Sequence, residues 1–227
     1  MHLILASTSP ARLALLRSAG IEPALVSPDV DEEDVTAQAN ANAAAPLGAH
    51  AVVELLARAK AEAAAALYAG TDVATAGTGS GEPETSLILG GDSVFVLDDV
   101  IYGKPHTAEK ARERWRLQRG RTGELYSGHW LIEVVDGVPG RAVGAVAVAE
   151  VSFADDITDV ELDAYIGTGE PLFVAGAFTI DSLGAPFITR IVGDPSTVVG
   201  LSLPTLRRLV SGLGHHWPDL WNRRGAL

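Results

Sequence analysis

No cysteine occurs in the sequence, which excludes disulfides, zinc sites with thiolate ligands and cysteine nucleophiles. Positive charge is scarce as well: 17 Lys and Arg stand against 29 Asp and Glu, a formal net charge of −12. That balance argues against non-specific binding to nucleic acid or to an anionic membrane. An anionic ligand must be caught by a local cluster of cations working against the overall field. The N-terminus lacks a basic region followed by a long apolar run, and no apolar segment reaches the roughly 18 residues of a membrane span. A soluble cytoplasmic protein, with neither nucleic acid nor membrane as partner, is the simplest expectation. No internal repeat and no break in composition marks independent domains. The 227 residues, 47% of them apolar, are ample for a folded core.

What is present begins with LILASTSPARLALLRSAG, Leu3 to Gly20. The apolar run Leu3 to Ala6 reads as a short buried strand, and Ser7-Thr8-Ser9 as the turn into a helix. Ser9 is a good N-cap, Pro10 suits the first helical position and Gly20 ends the helix. Arg12 is out of place, since it occupies the third helical position, where the helix dipole disfavours a cation. Free N–H groups, hydroxyls and a guanidinium at a helix start make an anion site, with phosphate the first candidate. A solvent-facing arginine on an ordinary strand-loop-helix is the alternative.

Ala24 to Val26 reads as a further strand, leading into the acidic stretch Asp29 to Asp34, which by itself suggests a solvated loop. Residues 36–50 are low in complexity and are expected to be a mobile loop or frayed helix. A helix over Ala51 to Tyr68, stopped by Gly70, groups Val53, Leu56, Ala63, Ala64 and Leu67 on one face and Glu54, Arg58 and Glu62 on the other. Lys60 interrupts the apolar face. It either snorkels to the edge or points its ammonium into a site that holds negative charge.

Residues 70–86 look like a flexible insertion, and their GTGSG at 77–81 lacks both the preceding strand and the following Lys-Ser/Thr of a phosphate loop. Leu87-Ile88-Leu89 reads as a buried strand, and Gly90-Gly91 permits close backbone approach before Asp92, an acid in a tight turn. Val94 to Tyr102 suggests a hairpin turning at Asp98-Asp99 that would return Lys104 towards Asp92. Thr107 caps a helix to about Arg119. Glu124 to Val135 and Arg141 to Phe153 read as a hairpin around Asp136-Gly137, and Thr158 to Glu161 as a capping box. Phe173 to Ile180 and Pro186 to Val192 look strand-like, and Ser202 caps a last helix burying Leu203, Leu206, Leu209 and Val210. His215 and His216 are adjacent, which is not ligand spacing. Helices and strands alternate early and strands dominate later, so the expectation is an α/β fold around a mixed sheet.

The exceptions collect into one constellation. Ser7, Arg12 and Lys60 can bind an anion, Lys104 lies near Asp92 in the expected hairpin, and the Glu32 stretch adds carboxylates. These types suit hydrolysis of a phosphoanhydride, with cations on the phosphate chain, carboxylates on Mg²⁺ and one carboxylate as general base towards water.

In these motifs the chain resembles the Maf family of nucleoside triphosphate pyrophosphatases. Ser7-Thr8-Ser9-Pro10-Ala11-Arg12 is similar to the family's Ser-x-Ser-Pro-Arg-Arg, Asp31-Glu32 to its acidic pair, Leu56 to Ala61 to its lysine helix, Gly90 to Val94 to its Gly-x-Asp-x-Val turn, and Gly103-Lys104-Pro105 to its Gly-Lys-Pro. Gly169-Glu170-Pro171, Ala175 to Phe178 and Gly193-Asp194 through Gly200-Leu201 resemble its C-terminal motifs. The resemblance runs from about Leu3 to Val210, and it implies a single Maf-like domain over residues 1–227. It also implies an extended mixed sheet flanked by helices, in two lobes with a central cleft like inosine triphosphatase. The implied reaction is cleavage of (deoxy)nucleoside triphosphates, modified ones included, to monophosphate and pyrophosphate. A divalent metal (Mg²⁺, Mn²⁺ or Co²⁺), a cytoplasmic location and a homodimer come with it.

Carried over, Asp92 is the general base, Glu32 and Asp92 are metal ligands, and Ser7, Arg12, Lys60 and Lys104 hold the substrate. For Glu32 the resemblance reverses the solvated-loop reading. Departures fall at Ala11, where the family has the first of two arginines, and at Ser93 and Asp181. These positions separate family members by base preference, and the chain matches neither set. Gly200-Leu201-Ser202-Leu203 replaces the family's Gly-Leu-Pro-Leu. A regulator of cell division that binds nucleotide and acts through a protein partner is the alternative, suggested by Ala11.

Overall fold

The computed structural model describes residues 1–69 and 84–223. The GTGSG stretch, Gly70 and most of the 70–86 insertion lie outside the described residues. The order is β1 (His2–Ala6), α1 (Pro10–Ser18), β2 (Ala24–Val26), α2 (Glu32–Asn42), α3 (Ala49–Ala69), β3 (Thr85–Leu97), β4 (Val100–Tyr102) and α4 (Ala108–Gln118). Then follow β5 (Thr122–Val135), β6 (Val138–Phe153), α5 (Asp159–Gly167), β7 (Ile188–Val192), α6 (Pro195–Val199) and α7 (Leu203–Gly212). The strands form a mixed seven-stranded sheet in the order β2-β1-β3-β5-β6-β7, with β4 paired to β3. β1 runs parallel to β2 and β3, while β4 on β3 and β7 on β6 are antiparallel. The expected α/β class and mixed sheet are therefore present.

Two compact units divide the chain: Met1–Asp92 with Gly128–Val146 and Leu203–Leu227, and Ser93–Ser127 with Ala147–Ser202. In the first, β1 is flat-buried from Leu3 to Ala6 and pairs Ile4 with Ile88 and Ala6 with Gly90. Strands buried this completely, rather than alternating, are what a parallel sheet covered on its faces requires. α3 covers it with a stripe of small residues, Ala57, Ala61 and Ala64, all fully buried. The second unit is centred on rings: Phe95, Trp115, Phe153 and Phe178 meet edge to face with centroids 5.0–5.8 Å apart.

Four expectations are corrected. The acidic stretch is not a loop throughout: Asp31 caps α2 by accepting from the Asp34 backbone N–H at 2.9 Å, and Glu32, Glu33 and Asp34 form its first turn. Carboxylates suit that end of a helix dipole. Of the two alternatives for residues 36–50, helix is present as far as Asn42. Leu67 does not share the buried face of α3 and is 54% exposed. Gly90, Gly91 and Asp92 do not turn but continue through the thirteen residues of β3, and neither glycine takes a positive φ. Phe173 to Ile180 is not a strand: short 3-10 turns cover Glu170–Phe173 and Ala175–Ala177, and Gly176 and Ala177 are both left-handed at φ 72° and 64°. Trp115 Nε1 and Gln118 Nε2 donate to the Ala177 and Gly176 carbonyls at 2.7 Å each, holding this bend in place of a ladder.

Candidate functional site

The first unit brings together six of the residues singled out from the sequence. Ser9 caps α1 as expected, accepting from the Arg12 N–H. Ser7 Oγ in turn accepts from the Ser9 N–H at 3.2 Å and from Arg12 Nη1 at 3.1 Å. The guanidinium is thereby folded back along the turn and buried, only 8% exposed. Burial pushes the Arg12 pKa down, while the Asp92 and Glu32 carboxylates push it up. Those two charges lie in its field, which answers why a cation tolerates the positive end of a helix. Ala11, one residue earlier, is half-buried.

Gly90 and Gly91 explain how α1 and α3 reach β3. A Cβ on Gly90 would lie 2.0 Å from the Ala57 carbonyl oxygen and 2.7 Å from the Ala61 nitrogen, and one on Gly91 would lie 3.3 Å from Arg12 Nε. Gly128 on β5 meets α3 as closely, its Cβ position being 2.2 Å from the Val53 carbonyl oxygen. Glycines alone admit this contact, and they seat Lys60, one helical position before Ala61, against the strand that carries Asp92.

Lys60 Nζ donates to Asp92 Oδ1 at 2.7 Å, with both side chains 10% exposed. The same nitrogen is 2.8 Å from Glu32 Oε1, whose side chain is 45% exposed. Of the two readings of this lysine, the snorkelling one is therefore set aside. Asp92 is buried, and burial raises its pKa against the opposing pull of Lys60 and Arg12. A carboxyl so held is a candidate proton acceptor, because its proton affinity lies above that of an exposed aspartate. Among the described residues no group of three or more His, Asp or Glu collects that could hold a metal by protein ligands alone. The hard oxygens of Glu32 and Asp92, converging on one cation, fit a Mg²⁺-like ion, which takes one or two carboxylates and completes its shell with water and phosphate oxygens.

Ser93, Lys104 and Asp181 belong to the second unit. Ser93 Oγ is 2.8 Å from Ser127 Oγ, which donates to the Thr197 carbonyl at 2.8 Å. Lys104 is exposed, between the buried Pro105 and the exposed Gly103, whose carbonyl accepts from Arg114 Nη1 at 2.5 Å and the Gly176 N–H at 3.3 Å. Asp181 is exposed, after the 3-10 turns. Two residues went unassigned in the sequence. Asp31 is the cap that sets Glu32 at the first position of α2. Glu170 accepts from Tyr165, Thr179, Ser182 and the Leu183 and Gly184 N–H groups at 2.5–3.3 Å. Burial raises its pKa, the donors lower it, and the donors prevail. An acid between a glycine and a proline signals a bend, but not the five donors that gather on it.

An α/β protein that sets a buried carboxylate against a lysine, within the field of an arginine at a helix start, belongs to the class with an enclosed charged site on a mixed sheet. Within that class the chain belongs to the Maf-like protein family, whose model matches residues 2–213. It is 61% identical over 226 residues to a nucleoside triphosphate pyrophosphatase of Leifsonia xyli subsp. xyli, covering 100% of this chain and 99% of the relative. Proteins with that same description from Streptomyces coelicolor and Cutibacterium acnes are 46% and 44% identical, each over 222 residues, covering 97% and 96% of this chain and 94% of either relative.

Proposed function

We propose that the chain is a nucleoside triphosphate pyrophosphatase that splits its substrate between the α and β phosphates. The observation that carries the reading is Asp92, buried with raised proton affinity and ion-paired to Lys60 at 2.7 Å. The description shared by the relatives supports the same activity. Asp92 acts as general base: it takes a proton from water as the water oxygen bonds to the α phosphorus, and the bond to the bridging oxygen breaks with its electron pair leaving on pyrophosphate. Ser7, Arg12 and Lys60 hold the phosphate chain, and Lys104 of the Gly-Lys-Pro motif is a further substrate-binding cation. Glu32 and Asp92 hold the divalent metal, Mg²⁺, Mn²⁺ or Co²⁺, which when bound neutralises phosphate charge and orients the substrate.

Ala11, Ser93 and Asp181 set the base preference, modified bases included. A cytoplasmic location and a homodimer belong to the same proposal on the family resemblance. No helix among the described residues is long and apolar enough to cross a membrane.

Pyrophosphate release is measured across a panel of ordinary and modified nucleoside triphosphates with each metal, for wild type and Asp92→Asn. Release by wild type, concentrated on one or two bases and at least about a hundredfold slower in the variant, is expected from loss of a general base. Silence across the panel with nucleotide still bound would replace the enzyme by the nucleotide-binding regulator.

A further inference from the structure

We infer that the Lys60 ammonium is a built-in stand-in for the divalent cation: it occupies the place between Glu32 and Asp92 in the metal-free protein and must leave when the metal enters. The inference rests on the metal reading proposed above and adds a competition inside it.

Three observations carry it. One nitrogen contacts both carboxylates at 2.7 and 2.8 Å and so fills the point where Glu32 Oε1 and Asp92 Oδ1 converge; Mg²⁺, which draws oxygens to about 2.1 Å, cannot occupy that point beside the ammonium. Secondly, the charges of Arg12, Lys60, Glu32 and Asp92 cancel. A divalent ion added alone would leave a buried, uncompensated positive charge, and a polyphosphate chain arriving with it would balance that charge. Thirdly, the two contacts of Lys60 are unequal. The Asp92 contact is closed off on both sides, while Glu32 is 45% exposed and its ion pair is screened by water. The metal therefore gains its first ligand at Glu32. Lys60, on a four-carbon stem with rotatable donors, then swings from Asp92 to the phosphates. The ammonium is thus a positioning group that suppresses metal binding until substrate is present.

The test is Mn²⁺ binding to nucleotide-free protein, followed by the electron paramagnetic resonance of free Mn²⁺, for wild type, Lys60→Met and Asp92→Asn, each checked by thermal melting. Lys60→Met is expected to bind Mn²⁺ at least tenfold more tightly than wild type, and Asp92→Asn more weakly. Equal or weaker binding by folded Lys60→Met overturns the inference while leaving the metal site standing. Binding unaffected by Asp92→Asn overturns the metal reading and the inference with it. Should Lys60→Met fail to fold, the wild type decides. It has only three lysines, Lys60, Lys104 and Lys110, so the labelled lysine Nζ and Cε resonances are readily assigned. Mg²⁺ without nucleotide, at concentrations that displace Mn²⁺, is expected to shift the Lys60 resonances. An unmoved Lys60 signal there overturns the inference.

Discussion

Asp92 is subject to opposed influences. Burial holds its proton on, and Lys60 and Arg12 pull it off. In metal-free protein its carboxyl carbon is expected to titrate above the usual aspartate range. In Lys60→Met the midpoint moves higher still, because an opposing charge has gone; carbon NMR reads both. Lys60 and Asp92 were legible in the sequence because each breaks a local rule, a cation in an apolar helical face and an acid after a buried strand and two glycines. Glu32 was not, since nothing local distinguishes it among five carboxylates. What singles it out is the cap at Asp31 and a contact with a lysine 28 positions away.

The elements owe their placement to backbone contacts that side-chain patterns do not reveal. Gly90→Ala puts a methyl 2.0 Å from the Ala57 carbonyl oxygen, and no rotamer can relieve a clash with backbone. It is expected to cost about 3 kcal/mol in denaturant unfolding and to lower activity by lifting Lys60 from Asp92. In the second unit Glu170→Gln removes the charge on which five donors converge. A loss on the order of 3 kcal/mol is expected from weakened charged hydrogen bonds, read in the same way. The apolar run of residues 173–180 suggested a strand, while the bend there is set by two left-handed residues and by donors from α4. Capping signals fared better. Ser9, Thr107 and Thr158 all cap the helices expected of them, since a cap is decided within four residues.

Over the whole molecule, the strand-helix alternation and the mixed sheet were legible in the sequence, and the division into two units was not, because each unit is assembled from segments far apart in the chain. One distant link is Glu133 on β5, only 8% exposed, which accepts from Arg141 at 3.0 and 3.1 Å and contacts His215 Nε2 at 2.7 Å. The Arg141 hydrogen bonds foremost, and then His215, hold its pKa below the ordinary carboxylate value. The stability this cluster contributes is therefore full above that ordinary value and is lost as pH falls through the lower, folded one. Glu133→Gln is expected to flatten the acid side of the stability curve, measured by thermal melts from pH 7 to 3.

The first unit has an order in time as well as in space. Ser7, Arg12, Glu32, Lys60 and Asp92 all lie within its opening segment, yet the unit is completed by Gly128–Val146 and Leu203–Leu227. At about 5–20 residues per second, a ribosome needs on the order of ten seconds to pass from Asp92 to the end of α7. Throughout that interval the nascent chain carries its chemistry without the strands and helix that enclose it. A chain released early would hold every one of those side chains and no finished site. Arrest peptides placed after Asp92 and after α7 would record when the pulling force of folding appears, and only the later position is expected to report it.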